Sequence, residues 1–331
     1  MPTPTASWIA DARGELAFFA GFHDGDGCVE ATVGVCIHQA TTNRRVLDRL
    51  VAVFGGSIRT KSENKRGNRA PSLTWRLRVY ESVAYAKAIA PYSLQSRKRK
   101  ELELMAAYRD SGISRADFST RIKSTRQTPD DEIDIDAVRT RMTERQIDAY
   151  FAGFVLADGS VGMKDGKTVT RMNICQKSGN GAILRFAKLY FECGNINHSE
   201  TRHGDVWELY KESKKLAARL APFLPPGSSK REMVEIIRDV TAENSAASRA
   251  RLTELAGDKP SALSRKKSAQ GCIWKVFRKD MHVGYNVRFL GESRKFSSSK
   301  HALDENLALA EAWRVEKSHE RDARLSTYTT M

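Results

Sequence analysis

The sequence predicts an α+β protein made of two similar lobes, followed by a small basic domain of strands and one helix. A short segment occurs twice, because the run FAGF at residues 19–22 returns at 151–154 and Asp26-Gly27 returns as Asp158-Gly159. Each copy is followed by segments in which apolar and polar residues alternate, which is typical of half-buried strands. Duplication explains both observations. The third observation is a formal net charge of +15.

Each copy of the repeat is typical of a short apolar helix that ends at a carboxylate followed by glycine. Residues four apart share a helix face, so each helix carries a stripe of small residues. The stripe residues are Ala17, Gly21 and Gly25 in the first copy and Gly153 and Ala157 in the second. Such stripes let two helix backbones come close together. We therefore expect the two helices to pack side by side.

Side-by-side packing would bring Asp26 and Asp158 together at the ends of their helices. Carboxylates at the negative end of a helix dipole are costly unless a cation neutralises them. Oxygen donors of this kind favour Mg²⁺. Either aspartate alone would indicate only a polar residue at a helix end, but the duplicated pair predicts a divalent metal site.

The two segments resemble the two signature motifs of a single-chain LAGLIDADG homing endonuclease. The family's acidic eighth position falls on Asp26 and Asp158, whereas its sixth position is Asp24 in the first copy and Leu156 in the second. The resemblance implies two pseudo-symmetric αββαββα lobes in one chain, each presenting a curved antiparallel sheet to the same DNA duplex.

The resemblance also implies a set of site residues. They are Asp26, Asp158, Lys98, Lys230, Gln39 and Gln176, with metal ligation by the two aspartates and the backbone carbonyls of Gly25 and Ala157. The lysines match a basic residue that polarises the attacking water, although contact with phosphate or plain solvation is the alternative, and Arg97, Lys100 or Arg231 could carry that charge instead. The glutamines match a polar residue near the scissile phosphate. Strict alternation puts Gln39 on the buried side of its strand, so its role requires the strand to end or bulge there.

The elements expected in the first lobe after its helix follow from alternation and helical spacing. They are a strand over 28–39, a helix over 43–54, strands over 57–61 and 73–80, a helix over 81–90 and a last helix over 96–108. The second lobe repeats this order with a strand over 169–177, a helix over 181–192, strands over 195–201 and 207–211, and helices over 212–221 and 228–241. Trp75 with Trp207 and Lys98 with Lys230 keep the same separation as Asp26 with Asp158.

One face of the strand predicted over 73–80 is polar and cationic, so its side chains are suited to phosphates and base edges in a major groove. A solvated sheet face would look the same. The DNA-binding residues predicted in the two lobes are Arg59, Lys61, Arg76, Arg78, Arg171, Lys177 and Tyr210. The matching strand of the second lobe carries Glu208 and Tyr210 in place of arginines, so we expect the two half-sites to be read differently.

These observations divide the chain into five segments. They are a first lobe at 1–110, a polar interlobe linker at 111–143, a second lobe at 144–244, a second linker at 245–264 and a basic accessory domain at 265–331. In the last segment we predict strands over 271–278, 284–290 and 294–296 and a helix over 299–319. This arrangement resembles the DNA-binding domains of plant ethylene-responsive factors, which would place Trp274, Tyr285, Arg288 and Lys295 on or near a DNA-facing sheet. The alternative is a basic accessory subdomain packed on the second lobe.

The net charge indicates which class of partner the protein binds, and the cysteines indicate the kind of compartment in which it works. A pI near 9.7 favours a polyanionic partner, and the polar start of the chain and the lack of a spanning apolar segment favour nucleic acid over a membrane. The five cysteines form neither a zinc pattern nor a disulfide framework. They indicate small core residues of a soluble protein in a reducing compartment, such as a bacterial or phage cytoplasm or an organelle matrix.

The sequence therefore predicts a monomeric, Mg²⁺-dependent endonuclease that makes double-strand breaks at a long asymmetric DNA target. Hydrolysis of a phosphodiester needs an activated water and relief of charge on the phosphorane, which oxygen-ligated divalent metals supply. The alternatives are an intron maturase that binds intron RNA and a non-cleaving DNA-binding regulator on the same fold. Retention of both motif aspartates favours the endonuclease.

Overall fold

The computed structural model describes residues 7–61, 72–163, 170–176, 181–199, 204–209, 212–256, 272–278, 281–289, 292–296 and 303–328. The chain divides into two compact units, Met1–Leu255 and Ala256–Met331. The larger unit contains both copies of the repeat, and the described residues of the smaller one form three strands and a helix. The α+β class predicted from the sequence is confirmed. Among the described residues, no helix is long and apolar enough to cross a membrane.

The first lobe begins with α1 (Ala12–Asp26), whose first turn is capped because Asp11 accepts from the N–H groups of Arg13 and Gly14. The elements that follow are β1 (Gly27–Glu30), β2 (Gly34–Ala40), α2 (Arg44–Phe54), β3 (Ser57–Lys61), β4 (Ser72–Leu77), α3 (Val79–Ile89) and α4 (Ser96–Ala107). The strands form one antiparallel sheet in the order β1-β2-β4-β3. Buried Trp75 at the centre of β4 pairs with Ile37 on one side and Ile58 on the other.

The single strand predicted over 28–39 is wrong, because the chain forms a hairpin of β1 and β2 there. The turn passes through Val33, which has a φ of 64° and yet is buried. The alternation of apolar residues therefore continues through the turn and conceals it. The hairpin supplies the first two strands of the αββαββα order.

The strand predicted over 73–80 is also shorter than expected, since β4 ends at Leu77. Arg78 stands outside the strand as the residue before α3, and Tyr80 lies within that helix. Tyr80 is exposed, and the guanidinium of Arg109 lies 4.0 Å from the centre of its ring. Of the cationic residues placed on this strand face, only Arg76 is on the strand.

The segment predicted as an interlobe linker carries two helices, α5 (Arg115–Gln127) and α6 (Ile135–Arg141). These helices pack against the rest of the lobes through the few large apolar residues of the segment, since Phe118, Ile122 and Val138 are buried in the main core. This connection between the lobes is therefore folded along much of its length.

The second lobe repeats the architecture of the first. Its elements are α7 (Glu144–Asp158), β5 (Gly159–Met163), β6 (Thr170–Gln176), α8 (Ala182–Phe191), β7 (Asn195–Ser199), β8 (Gly204–Leu209), α9 (Ser213–Leu220) and α10 (Ser229–Asp239). The sheet order β5-β6-β8-β7 matches that of the first lobe, and Trp207 pairs with Ile174 and Ile196 as Trp75 pairs with its two isoleucines. A further helix, α11 (Ser245–Leu255), occupies the start of the second predicted linker and buries Leu252.

The two motif helices α1 and α7 pack against each other with almost no space between their backbones. A Cβ atom added at Gly21 would lie 1.9 Å from the carbonyl oxygen of Tyr150, and one added at Gly153 would lie 2.0 Å from that of Phe18. Real Cβ atoms do not approach a backbone oxygen so closely. The small-residue stripe predicted from the sequence is therefore the contact surface that joins the lobes.

The smaller unit contains β9 (Cys272–Arg278), β10 (Met281–Phe289), β11 (Glu292–Phe296) and α12 (Leu303–Tyr328). Its antiparallel order is β11-β10-β9. The register aligns Trp274, Asn286 and Lys295 in one row, with Arg288 two positions along β10. Tyr285 belongs to the adjacent row, in register with Lys275 and Phe296.

Candidate active site

The ends of α1 and α7 bring the two repeated aspartates together. A Cβ atom added at Gly25 would lie 2.4 Å from Ala157 Cβ and 3.5 Å from a carboxylate oxygen of Asp158. Each helix ends at its aspartate, and the next residue begins a strand. The geometry therefore places one carboxylate from each lobe at the point where the lobes meet.

These carboxylates lie in surroundings that disfavour their charge. Burial, and after it the neighbouring charge of Asp158, raise the pKa of Asp26 to about 7. Burial likewise raises the pKa of Asp158 above its ordinary value. Hydrogen bonds from glutamines and the charges of Lys98 and Lys230 act in the opposite direction. Two adjacent, partly buried carboxylates of this kind are typical of functional sites.

This electrostatic cost predicts how the stability of the metal-free protein depends on pH. Between about pH 4 and pH 7, folded Asp26 holds a proton that the unfolded chain releases, so stability falls as the pH rises through this range. We expect Asp26→Asn to remove on the order of 3 kcal/mol of that fall. Urea unfolding of both proteins in a chelator at about pH 5 and pH 8 measures the difference. The same fall in both proteins would contradict the assignment.

A glutamine orients each carboxylate. Gln39 Nε2 donates to Asp26 Oδ2, and Gln176 Nε2 donates to Asp158 Oδ2 at 2.7 Å. Gln39 is the next-to-last residue of β2, on the same side as buried Ile37. The strand neither ends nor bulges at Gln39, contrary to what the sequence required, because β2 continues in regular register to Ala40. Gln39 reaches Asp26 from the buried side of the sheet. Both glutamines are therefore in contact with the carboxylates.

Lys98 and Lys230 also occupy equivalent places. Each stands near the start of a helix, α4 or α10, and its Nζ donates to the carbonyl oxygen of the residue directly after a motif aspartate, Gly27 or Gly159. The structure thus places one ammonium group beside each carboxylate.

The other basic residues considered for this role are engaged by acidic partners. Arg97 binds Glu101 at 3.2 Å, Lys100 binds Asp131 at 3.0 Å, and Arg231 binds Glu235 at 2.9 Å. The geometry accordingly favours Lys98 and Lys230.

The donor set suits a hard divalent cation, although the protein supplies few ligands. Within the described ranges, no group of three or more histidine, cysteine or acidic side chains is placed to hold a metal. Mg²⁺ is commonly bound through one or two carboxylates plus substrate phosphates, with waters completing its shell. Asp26 and Asp158 fit that mode, since a cation would relieve the repulsion that raises the pKa of Asp26.

Asp24, the motif acid without a counterpart in the second copy, has a structural environment different from that of Asp26. It is buried, and it accepts from the hydroxyls of Tyr150 at 2.6 Å and Ser93 at 2.8 Å. It also accepts from the backbone N–H groups of Leu94 at 3.0 Å and Gln95 at 3.2 Å. Asp24 therefore ties α1 to the segment before α4 and, through Tyr150, to α7.

Replacing Asp24 with alanine should destabilise the protein strongly, since it leaves four buried donors without their acceptor. We expect a loss of about 3 kcal/mol or more in the free energy of unfolding, because each unsatisfied buried donor costs about 1–3 kcal/mol. Tyr150→Phe removes one of these bonds together with its donor and should cost about 1 kcal/mol. Denaturant unfolding measures both, and equal small losses would contradict this role for Asp24.

The sheet face opposite the core carries charged residues in both lobes. Arg76 forms an ion pair with Glu30 in the first sheet, and Arg171 forms one with Glu208 at 3.2 Å in the second. Exposed Arg59 on β3 is in register with Thr74, on the same face as Arg76. Lys61 ends β3, but its side chain is not described, and Lys177 and Tyr210 lie outside the described residues.

Sequence reasoning missed several neighbours of the site. The β1–β2 hairpin brings half-buried Cys28 opposite buried Cys36, with 3.1 Å between their sulfur atoms. Asn43 and Gln95 contact the two glutamines. The spacing between Gln39 and Asn43 was the only available signal, because the other contacts depend on how strands and lobes come together.

Comparison with solved structures identifies this architecture. The LAGLIDADG meganuclease I-AabMI bound to uncleaved DNA matches with a TM-score of 0.52 and 14% sequence identity, over 74% of this chain and 98% of that chain. The LAGLIDADG homing endonuclease I-LtrWI bound to target DNA matches with a TM-score of 0.50 and 12% identity, over 74% and 97%. No protein-family model and no curated protein matches the sequence.

The chain therefore has the fold of the LAGLIDADG homing endonucleases. This confirms the family fold that the duplicated motifs predicted.

Proposed function

We propose that this protein is a site-specific DNA endonuclease that makes metal-dependent double-strand breaks as a monomer. The observation that carries the proposal is the pair Asp26 and Asp158, one from each lobe, at the pseudo-symmetric junction of α1 and α7. Two strands of opposite polarity require two equivalent sets of groups, and a single chain with two lobes supplies both. The solved structures with this fold include proteins bound to DNA targets, which supports duplex DNA as the partner.

In this proposal the two carboxylates hold Mg²⁺, with the backbone carbonyls of Gly25 and Ala157 as further ligands. The ion would supply charge neutralisation at the phosphate and a lowered pKa for attacking water. Gln39 and Gln176 hold the carboxylates in their orientation for ligation. Lys98 and Lys230 contribute positive charge beside the scissile phosphates, where it stabilises developing negative charge.

DNA would lie across the charged sheet faces of the two lobes. Arg59, Arg76 and Arg171 are on these faces, and each can contact a phosphate or a guanine edge. Arg76 and Arg171 bind glutamates in the free protein, so binding DNA requires exchange of one partner for another. Arg78, Lys61, Lys177 and Tyr210 remain proposed DNA-binding residues.

The decisive experiment is selection of a randomised duplex library on the purified protein in a chelator, followed by addition of Mg²⁺ and sequencing of the ends. The proposal expects paired breaks within one long, imperfectly palindromic site. Selective duplex binding without breaks would overturn it in favour of a non-cleaving regulator. Binding to structured intron RNA without duplex cleavage would instead indicate a maturase.

We further propose that the smaller unit adds affinity for DNA through the sheet face of Trp274, Arg288 and Lys295. Deleting residues 256–331 should weaken binding and make the plot of log affinity against log salt less steep. On duplex DNA the slope decreases in magnitude by about 0.9 for each phosphate that the protein no longer neutralises. Titrations of both proteins at several salt concentrations measure the slope. An unchanged slope would show that this unit neutralises no phosphates.

A further inference from the structure

The two glutamines that bind the motif aspartates are themselves held by different residues. Gln39 Oε1 accepts a hydrogen bond from Asn43 Nδ2 at 2.6 Å. Gln176 Oε1 accepts one from Gln95 Nε2 at 3.2 Å. Each carboxylate is thus the end of a short chain of hydrogen bonds, and among the residues that the structure describes the outer member of that chain differs between the lobes.

The outer donors differ in origin as well as in type. Asn43 belongs to the same lobe as Gln39 and follows it by four residues in the sequence. Gln95 belongs to the first lobe and reaches Gln176 in the second. At the spacing that relates Lys98 to Lys230, the residue equivalent to Gln95 is Gly227, which has no side chain to offer. The first lobe therefore supports the second in a way that the second cannot reciprocate.

The backbone of Gln95 is held in position, because its N–H donates to Asp24 at 3.2 Å. Its side chain is buried, and within the described residues the amide oxygen has no hydrogen-bond partner. Asp24 is the motif acid that Leu156 replaces in the second copy. The two departures from the repeat, Asp24 and Gln95, are therefore parts of one arrangement that leads from α1 to Asp158.

The chemistry of the amide explains why an outer donor matters. A primary amide presents donors at one end and an acceptor at the other, so rotating it by half a turn would point its oxygen at the carboxylate. An ionised carboxylate only accepts hydrogen bonds, so the aspartate directs the N–H end of the amide toward itself and the oxygen outward. A donor placed at that oxygen satisfies the other end of the amide and fixes where it lies relative to the carboxylate.

We propose that Asn43 and Gln95 are positioning residues, each for one of the two strand cuts. Asn43 acts through Gln39 on Asp26, and Gln95 acts through Gln176 on Asp158. The inference rests on the proposed endonuclease function and deepens it, because it assigns the control of two cleavage rates to two unlike residues. Loss of a residue that orients a metal ligand typically lowers activity about 10–100-fold.

The test compares Asn43→Leu, Gln95→Met and the unchanged protein on the selected duplex, with each strand labelled by a different fluorophore. Under single-turnover conditions with Mg²⁺, we expect each variant to cut one strand about tenfold more slowly. The slow strand should be opposite in the two variants, so that nicked intermediates of opposite polarity accumulate. A general loss of folding would slow both strands together.

A second measurement does not depend on cleavage. In the metal-free protein with ¹⁵N-labelled glutamine side chains, Gln95→Met should shift the side-chain amide signals of Gln176 and leave those of Gln39 in place. Asn43→Leu should do the reverse.

Several results would overturn the inference. Equal slowing of both strands, the same slow strand in both variants, or unmoved glutamine signals would each do so. Asn180 follows Gln176 at the spacing of Asn43 after Gln39 but lies outside the described residues. An Asn180→Leu variant that reproduces the expected bias while Gln95→Met shows none would reject the role of Gln95. If the unchanged protein cuts neither strand, both the proposed endonuclease function and this inference are refuted. That result is distinct from equal cutting of both strands by the variants, which refutes this inference alone.

Discussion

Asp26→Asn and Asp158→Asn are each expected to abolish double-strand cleavage and to leave duplex binding nearly unchanged. Asparagine keeps the shape of the side chain but removes the charge that a divalent cation requires. Cleavage should fall by at least about a thousandfold, because a site that stabilises the transition state electrostatically loses its principal charge. Affinity measured in a chelator should stay within about threefold, since less than about 1 kcal/mol separates such values.

The measurement is single-turnover cleavage of the selected target beside a binding titration on the same preparation. Asp110→Asn is the matched control, because Asp110 is exposed and its carboxylate binds the ammonium group of Lys87 at 3.0 Å. It should cut at the rate of the unchanged protein. Full double-strand cutting by either motif variant would reject the metal site. Residual nicking of one strand, opposite in the two variants, is the result that the strand-specific roles proposed for Asn43 and Gln95 require.

The duplicated motif made the main architecture predictable. The repeat of FAGF and Asp-Gly predicted two equivalent helices, and the small residues at four-residue spacing predicted their close packing. Trp75 and Trp207, aligned by sequence, occupy matching central positions in two sheets of the same order. Local patterns carried this information because helices and strands bury their faces at regular spacing.

The errors arose where tertiary structure overrides a local pattern. Val33 continues the alternation of its neighbours, yet it lies at a turn with positive φ. The segment 111–143 is polar enough to resemble a linker, but burial of Phe118 and Ile122 is sufficient to hold α5 against the protein. Neither outcome is encoded in periodicity alone.

The candidate active site was predictable where its residues belong to the repeat and unpredictable where they do not. Asp26 and Asp158 meet as expected because the repeat specifies them twice. The contacts of Gln39 and Gln176 with these carboxylates were not part of the prediction. The link between Gln95 and Gln176 joins residues far apart in the chain and has no equivalent in the second copy. A contact that breaks the symmetry of a repeat cannot be found by comparing its two halves.

The second large effect is expected from a methyl group at the helix junction. Gly21→Ala would place its Cβ 1.9 Å from the carbonyl oxygen of Tyr150 unless α1 and α7 move apart. A backbone oxygen cannot rotate away as a side chain can, so the whole helix contact must adjust. We expect the free energy of unfolding to fall by on the order of 4 kcal/mol, at the high end for a single substitution.

Gly14→Ala in the same helix is the matched control. Its added methyl group would meet side-chain atoms of Ile9 and Asp11 at 3.2 and 3.3 Å, and no backbone. Within a helix, alanine is more favourable than glycine by up to about 1 kcal/mol. The free energy of unfolding of this variant should therefore stay within about 1 kcal/mol of that of the unchanged protein. Denaturant unfolding of both variants decides the matter. A Gly21→Ala protein as stable as Gly14→Ala would mean that the helices do not approach so closely.

Gly153 provides an internal check, because its added Cβ would lie 2.0 Å from the carbonyl oxygen of Phe18 across the same junction. Gly153→Ala alone should destabilise the protein about as much as Gly21→Ala. Once one methyl group has separated the helices, the second has room, so the double variant should lose clearly less than the sum of the two single losses. Additive losses would instead indicate two independent contacts and would contradict the description of α1 and α7 as one shared interface.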